Sequence, residues 1–199
     1  LGLDFKEIRP RISVPELPRT QEKDYVSVSE FSTMQCKFWN LENGWEELVS
    51  EIKSMDLQVM SVSKEKTRLK KARRCNNKPI EETIRNIYHS KAFIGVGSGL
   101  SWLAWALGVP TVVVSGFSAA FCEFKDSDSV SRIINEDKCN GCFNDVEYYS
   151  CVDYEKLFRE SSTQAFLHGI QASRARSLSS LSTIPEFRDV LRKVVHNAN

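Results

Sequence analysis

The sequence predicts an α/β domain built on an open, doubly wound parallel sheet. Three observations carry this expectation. Strand-like and helix-like segments alternate from Tyr25 to Ser115 with short connections. The segment Thr111–Ser115 (TVVVS) has an unbroken apolar run, as expected of a strand covered on both faces. The segment Gly95–Ser101 (GVGSGLS) places glycines where a strand hands over to a helix.

The elements follow in order. Leu1 to Lys23 holds Pro10, Pro15 and Pro18 among charges, and reads as an extended linker or crossover. Tyr25–Ser29 (YVSVS) alternates and favours a strand. Gly44–Met55 sets Trp45, Leu48, Val49 and Ile52 at helical spacing. Leu57–Val62 is a second strand. Ile80–Tyr88 is a helix, with Pro79 before it and Glu81 and Glu82 in its first turn, where the helix dipole favours acids. Ala92–Val96 is a third strand, Ser101–Leu107 an apolar helix closed by Gly108 and Pro110, and Thr111–Ser115 a fourth strand. Beyond Gly116 the regularity weakens. Arg132–Asn135 suits a short strand, and Glu186–Val195 an amphipathic helix. The divisions expected are residues 1–23 as crossover, 24–135 as a Rossmann-like nucleotide-binding domain, 136–169 as a Cys-containing insertion, and 170–199 as tail and C-terminal helix.

Composition excludes some classes. The net charge of +1 argues against bulk binding to nucleic acid. The run Lys64–Arg74 carries seven cations against Glu65, and reads as a solvated loop or helix face. No stretch is long and apolar enough to span a bilayer, and Leu1–Pro10 lacks the apolar run of a signal peptide. With six Cys and no such signal, a cytoplasmic location is expected, and clustered Cys then suggest metal or redox chemistry rather than disulfides. Cys139 and Cys142 form a C-x-x-C turn and Cys151 follows. Thiolates so spaced suit a tetrahedral zinc or iron site, with Cys75, Cys122 or His168 as alternatives for the fourth ligand. The competing reading is a set of reduced structural thiols.

In open α/β sheets, ligands bind beyond the carboxyl ends of the strands. Three segments fall there. In Gly95–Ser101 the glycines let the backbone approach a ligand closely, and the N–H groups that open the next helix, up to Ser101, suit a diphosphate. In Ser29–Lys37, Ser32 or Thr33 would cap a helix and Lys37, a turn further in, would reach a phosphate. In Ser115–Phe124, Ser118 and Glu123 suit hydroxyls of a nucleoside or sugar. No Walker loop, hydrolase elbow or zinc-protease motif is present.

Taken together, SEFSTMQCKFWN, then FIGVGSGLSWLAWALGVPTVVVSGFS, then RIIN followed by KCNGCFND resemble the C-terminal domain of the bacterial autotransporter heptosyltransferases. These are GT-B enzymes related to the lipopolysaccharide heptosyltransferases. The opening LGLDFKEIRPRI resembles their interdomain crossover. The resemblance implies a glycosyltransferase that moves heptose from ADP-heptose to Ser of autotransporter adhesins. It places the donor on Lys37 and on Gly97, Ser98, Gly99 and Leu100. It implies a catalytic base in an N-terminal domain that these 199 residues do not contain, so that this chain alone would be inactive. It further implies structural iron on four Cys and a homo-oligomer. Here only Cys139 and Cys142 match the iron ligands, with Cys151 at a short spacing; Leu157 and His168 stand where the later pair is expected. Two alternatives are a non-catalytic metal-binding or assembly module, and a GT-B transferase that uses another nucleotide sugar.

Overall fold

A computed structural model describes residues 8–14, 17–34, 37–39, 43–115, 117–118, 123–124, 129–133 and 193. Among the described residues nine elements with defined bounds follow in chain order. They are β1 (Tyr25–Ser29), α1 (Gly44–Ser54), β2 (Gln58–Ser61), β3 (Arg73–Arg74), α2 (Ile80–Tyr88), β4 (Ala92–Val96), α3 (Gly99–Ala106), β5 (Thr111–Val114) and β6 (Val130–Ile133). The strands form one sheet in the order β3-β2-β1-β4-β5-β6. Every pairing is parallel. This is the doubly wound order, and it reverses between β1 and β4. The doubly wound parallel fold class is therefore the one expected.

The sheet is buried on both faces because period-two side chains meet helices on each side. On one face Val26, Val28, Ile94, Val96, Val112 and Val114 pack with Leu48, Val49 and Ile52 of α1. On the other, Tyr25, Met60 and Phe93 pack with Ile87 of α2 and Ala104 of α3. A third cluster joins Trp105, Val113 and Phe124 beside β5. Each fully buried Val, Ile or Phe contributes roughly 1.5–3 kcal/mol from water exclusion. The polar residues of β1 are satisfied inside this packing: the Tyr25 and Ser27 hydroxyls both donate to the Asn86 carbonyl, at 2.9 and 3.0 Å. Burial pushes the Tyr25 phenol up to about 12.

Three expectations are revised. The run Lys64–Arg74 is a loop ending in strand β3 at the sheet edge, paired as Met60↔Arg73 and Ser61↔Arg74. All seven of its cations are exposed, while Thr67 and Leu69 turn inward. Cations on a short edge strand discourage pairing with another chain. Strand β6 begins two residues before the expected Arg132, at Val130, and its last described residue is Ile133. Helix α3 begins at Gly99 rather than Ser101, with Ser98 as the N-cap, so the glycine turn itself supplies the first helical turn.

The segment expected as a crossover has no helix or strand in residues 8–14 and 17–23. It is tied down at its end: the Leu17 carbonyl lies 2.6 Å from His89 Nε2, and Arg19 pairs with Asp24 at 2.6 Å. The Arg19 hydrogen bond, with Lys91 nearby, holds the Asp24 carboxyl below its usual range. No helix among the described residues is long and apolar enough to cross a membrane. The insertion 136–169, with Cys139, Cys142 and Cys151, and the helix expected at Glu186–Val195 lie outside the described residues, apart from the single exposed helical residue Lys193.

Candidate nucleotide-sugar site

The carboxyl ends of β1 and β4 lie side by side, with Ser29 paired to Gly95 in the parallel register. The chain leaves both strands into loops that meet directly. Ser32 Oγ donates to the Gly97 carbonyl at 3.1 Å. This hydroxyl therefore clasps the two loops. Thr33 is exposed. Lys37 sits in a 3-10 turn, its N–H bonded to the Met34 carbonyl at 3.1 Å.

Lys37 reaches the Glu123 side chain. Its Nζ lies 3.7 Å from Glu123 Oε1 and 5.7 Å from the centre of the Phe117 ring, a cation–π distance. Glu123 is 5% exposed and is packed against Gly97: a Cβ built on Gly97 would fall 2.1 Å from Glu123 Oε1. Glu123 Oε2 accepts from Ser115 Oγ at 2.9 Å. Arg132 on β6 in turn donates to Ser115 Oγ at 2.8 Å and to the Ser118 carbonyl at 2.7 Å. Lys37, Glu123, Ser115 and Arg132 thus form one chain of polar contacts, cation to carboxylate to hydroxyl to cation.

The glycine turn divides by function. A Cβ at Gly95 would lie 2.9 Å from the Phe93 ring and 3.0 Å from the Ser29 carbonyl, so packing requires glycine there. A Cβ at Gly99 meets nothing within 4 Å. The space beside Gly99 lies at the start of α3, whose first N–H groups have no intrahelical acceptor. Ser98 approaches Ser101 at 3.5 Å between hydroxyls. Ser101 is buried and its hydroxyl donates to the Val96 carbonyl at 2.6 Å, so it braces the turn. Leu100 is half-buried against the second core cluster.

A second polar cluster adjoins the site, and sequence reading passed over it. Glu30, immediately after β1, is buried and accepts from the Thr67 hydroxyl and, at 3.4 Å, from Ser61 Oγ. Asn76 ties the same loop by donating to the Ser63 carbonyl at 3.0 Å. Desolvation raises the Glu30 carboxyl above its ordinary value against these hydrogen bonds. The missed residues, Glu30, Ser115 and Arg132, stand among ordinary loop and strand letters; the only signal was an acid directly following an apolar strand.

Among the described residues no group of three His, Cys, Asp or Glu is placed to hold a metal. Cys75 packs among Tyr25, Met60, Val62, Ile87 and Phe93, and burial pushes its thiol up. That environment suits a protonated core thiol.

No family model matches the chain. The autotransporter heptosyltransferase BAHTCr of Citrobacter rodentium is 35% identical over 191 residues, 87% of this chain and 46% of that protein. The autotransporter heptosyltransferase TibC of Escherichia coli is 34% identical over 190 residues, 87% of this chain and 46% of that protein. The inactive autotransporter heptosyltransferase BimC of Burkholderia thailandensis is 33% identical over 155 residues, 73% of this chain and 36% of that protein. Among solved structures, dodecameric iron-containing TibC in complex with ADP-D-β-D-heptose superposes with a TM-score of 0.73 at 27% identity, covering 98% of this chain and 52% of that one. The Escherichia coli heptosyltransferase WaaC with ADP matches at a TM-score of 0.51 and 20% identity, over 59% of this chain and 40% of that one, and shares the fold.

The six-stranded parallel sheet and these likenesses define a glycosyltransferase domain of the GT-B type. The family is that of the autotransporter heptosyltransferases: the chain belongs to it, and spans about half the length of the curated relatives it matches.

Proposed function

We propose that this chain is the C-terminal, donor-binding part of a protein O-heptosyltransferase, taking ADP-heptose and serving transfer to Ser of an autotransporter in the cytoplasm. One observation supports the reading: Lys37 and the Gly97 turn meet on the same Glu123 carboxylate, at the point where the sheet order reverses. In this reading the N–H groups of Ser98, Gly99 and Leu100 receive the diphosphate at the start of α3, where the helix dipole adds attraction. Lys37 neutralises charge on the departing ADP as the glycosidic bond breaks. Ser32 and Ser101 hold the two loops in place, and Thr33 stands at the rim. The catalytic base belongs to a domain outside these residues.

The relative TibC is described as iron-containing and dodecameric. By analogy, Cys139, Cys142 and Cys151 are proposed as thiolate ligands of a structural iron, with a fourth ligand beyond them, in a homo-oligomer. Three thiolates are a donor set that iron or zinc accepts. Loss of iron absorbance in Cys142→Ser is the expected outcome.

Isothermal titration tests the donor reading. ADP-heptose and ADP should bind saturably, GDP-sugars should not, and Lys37→Ala should weaken the adenine ligands about tenfold, the loss of one charge-assisted contact. Absence of nucleotide binding by a folded chain would favour a second reading. That reading, a non-catalytic assembly module, is supported by the inactive relative BimC.

A further inference from the structure

The carboxylate of Glu123 is an anion built into a site read as binding a diphosphate. It lies against Gly97, one residue before the N-cap of α3, and its Oε1 faces the Lys37 ammonium at 3.7 Å. It is buried, at 5% exposed, and fixed: Oε2 accepts from Ser115, and Ser115 is held by Arg132. Such a group cannot swing away cheaply, because both of its oxygens already have partners. Any phosphate reaching the first turn of α3 therefore meets a fixed negative charge as well as Lys37.

We propose that Glu123 is a specificity-determining residue that selects a diphosphate diester over a diphosphate with a free terminal phosphate. The inference rests on the donor-site reading above. Its physical basis is a count of charges. In a nucleotide-sugar each phosphate of the pair is a diester and carries one negative charge. In the released nucleoside diphosphate the outer phosphate is terminal and carries about −1.5 to −2 at neutral pH. That extra charge falls at the sugar end of the diphosphate. A fixed carboxylate nearby in a partly desolvated site raises the free energy of the more charged ligand more than that of the less charged one. Lys37 attracts both ligands, while Glu123 sets the difference between them. The outcome is a site that holds the donor and releases the spent nucleotide.

The arrangement also accounts for the glycine at position 97. Any side chain there would displace the carboxylate, whose Oε1 lies 2.1 Å from the place of a Cβ. Gly97 and Glu123 are thus a steric pair, and the charge sits where the turn has no side chain.

The test compares the dissociation constants of ADP-heptose and ADP for the full chain and for Glu123→Gln. Glutamine keeps the shape and can still accept from Ser115, but carries no charge. The expected result is that Glu123→Gln tightens ADP about three- to tenfold and ADP-heptose less, narrowing the ratio of the two constants by at least about threefold. At pH 5 the terminal phosphate is singly ionised, and the wild-type preference should shrink in the same direction. Glu123→Asp, which keeps the charge but withdraws it from Gly97, should fall between the two. It carries the test alone if Glu123→Gln does not fold. An unchanged ratio in folded variants overturns the inference while leaving the donor site standing. Weakening of ADP-heptose alone also overturns it, and identifies Glu123 as a direct ligand of the sugar. Failure of wild type and variants alike to bind either ligand overturns the donor-site reading and this inference with it.

Discussion

Ser29 and Gly95 are register partners at the carboxyl ends of β1 and β4, and they approach so closely that a Cβ on Gly95 would lie 3.0 Å from the Ser29 carbonyl. From this contact the two site loops depart, one toward Lys37 and the other toward Gly97. The close approach explains why Ser32 can reach the Gly97 carbonyl only a few residues later.

Gly95→Ala should therefore destabilise the fold. The added methyl must move either the buried Phe93 ring or the β1 backbone, an overpacking cost of about 1–3 kcal/mol. Chemical denaturation should show a lower midpoint with an unchanged slope. A midpoint equal to wild type would mean that the strand ends are looser than this packing implies.

Gly99→Ala should behave in the opposite way. Its Cβ meets open space, and alanine is a better helix former by about 1 kcal/mol, so stability should hold or rise. Nucleotide affinity should fall about tenfold, because the methyl would occupy the proposed approach of the diphosphate to the start of α3. Equal affinity in a folded variant would move the phosphate away from this turn.

Glu30 makes stability depend on pH. Its carboxyl is raised by desolvation, so the folded state holds this proton more tightly than the unfolded chain does. Its contribution is complete below the unfolded value and is lost as pH rises through the raised folded value, where a buried charge must form. Glu30→Gln removes the ionisation and keeps an acceptor for Thr67. The variant should gain on wild type as pH climbs from about 4 to neutrality. Melting curves at several pH values read this directly, and parallel wild-type and variant profiles would exclude a buried, proton-linked Glu30.

Much of the architecture was legible because it is set by local pattern. Tyr25–Ser29, Ala92–Val96 and Thr111–Val114 announce themselves through apolar strand-forming runs, and α1 and α2 through helical spacing. Strand β3 was hidden because it is two exposed arginines inside a charged run. Its strand character comes only from pairing with Met60 and Ser61. The clasp made by Ser32 was hidden for a related reason: only the neighbouring loop brings the Gly97 carbonyl to its hydroxyl.

By itself, then, the sequence determined the alternation of elements, the glycine turn before α3, and the residue types able to meet a diphosphate. These depend on backbone preference and on side-chain periodicity, which act over a few residues. The tertiary structure alone decided that Lys37 meets Glu123, that Glu123 fills the space Gly97 leaves, and that Arg132 holds Ser115 from the last strand. Those partners are far apart in the chain. Lys37 and Glu123 meet because the strand order reverses between β1 and β4, while Gly97, Ser115 and Arg132 are gathered by the neighbouring strands β4, β5 and β6.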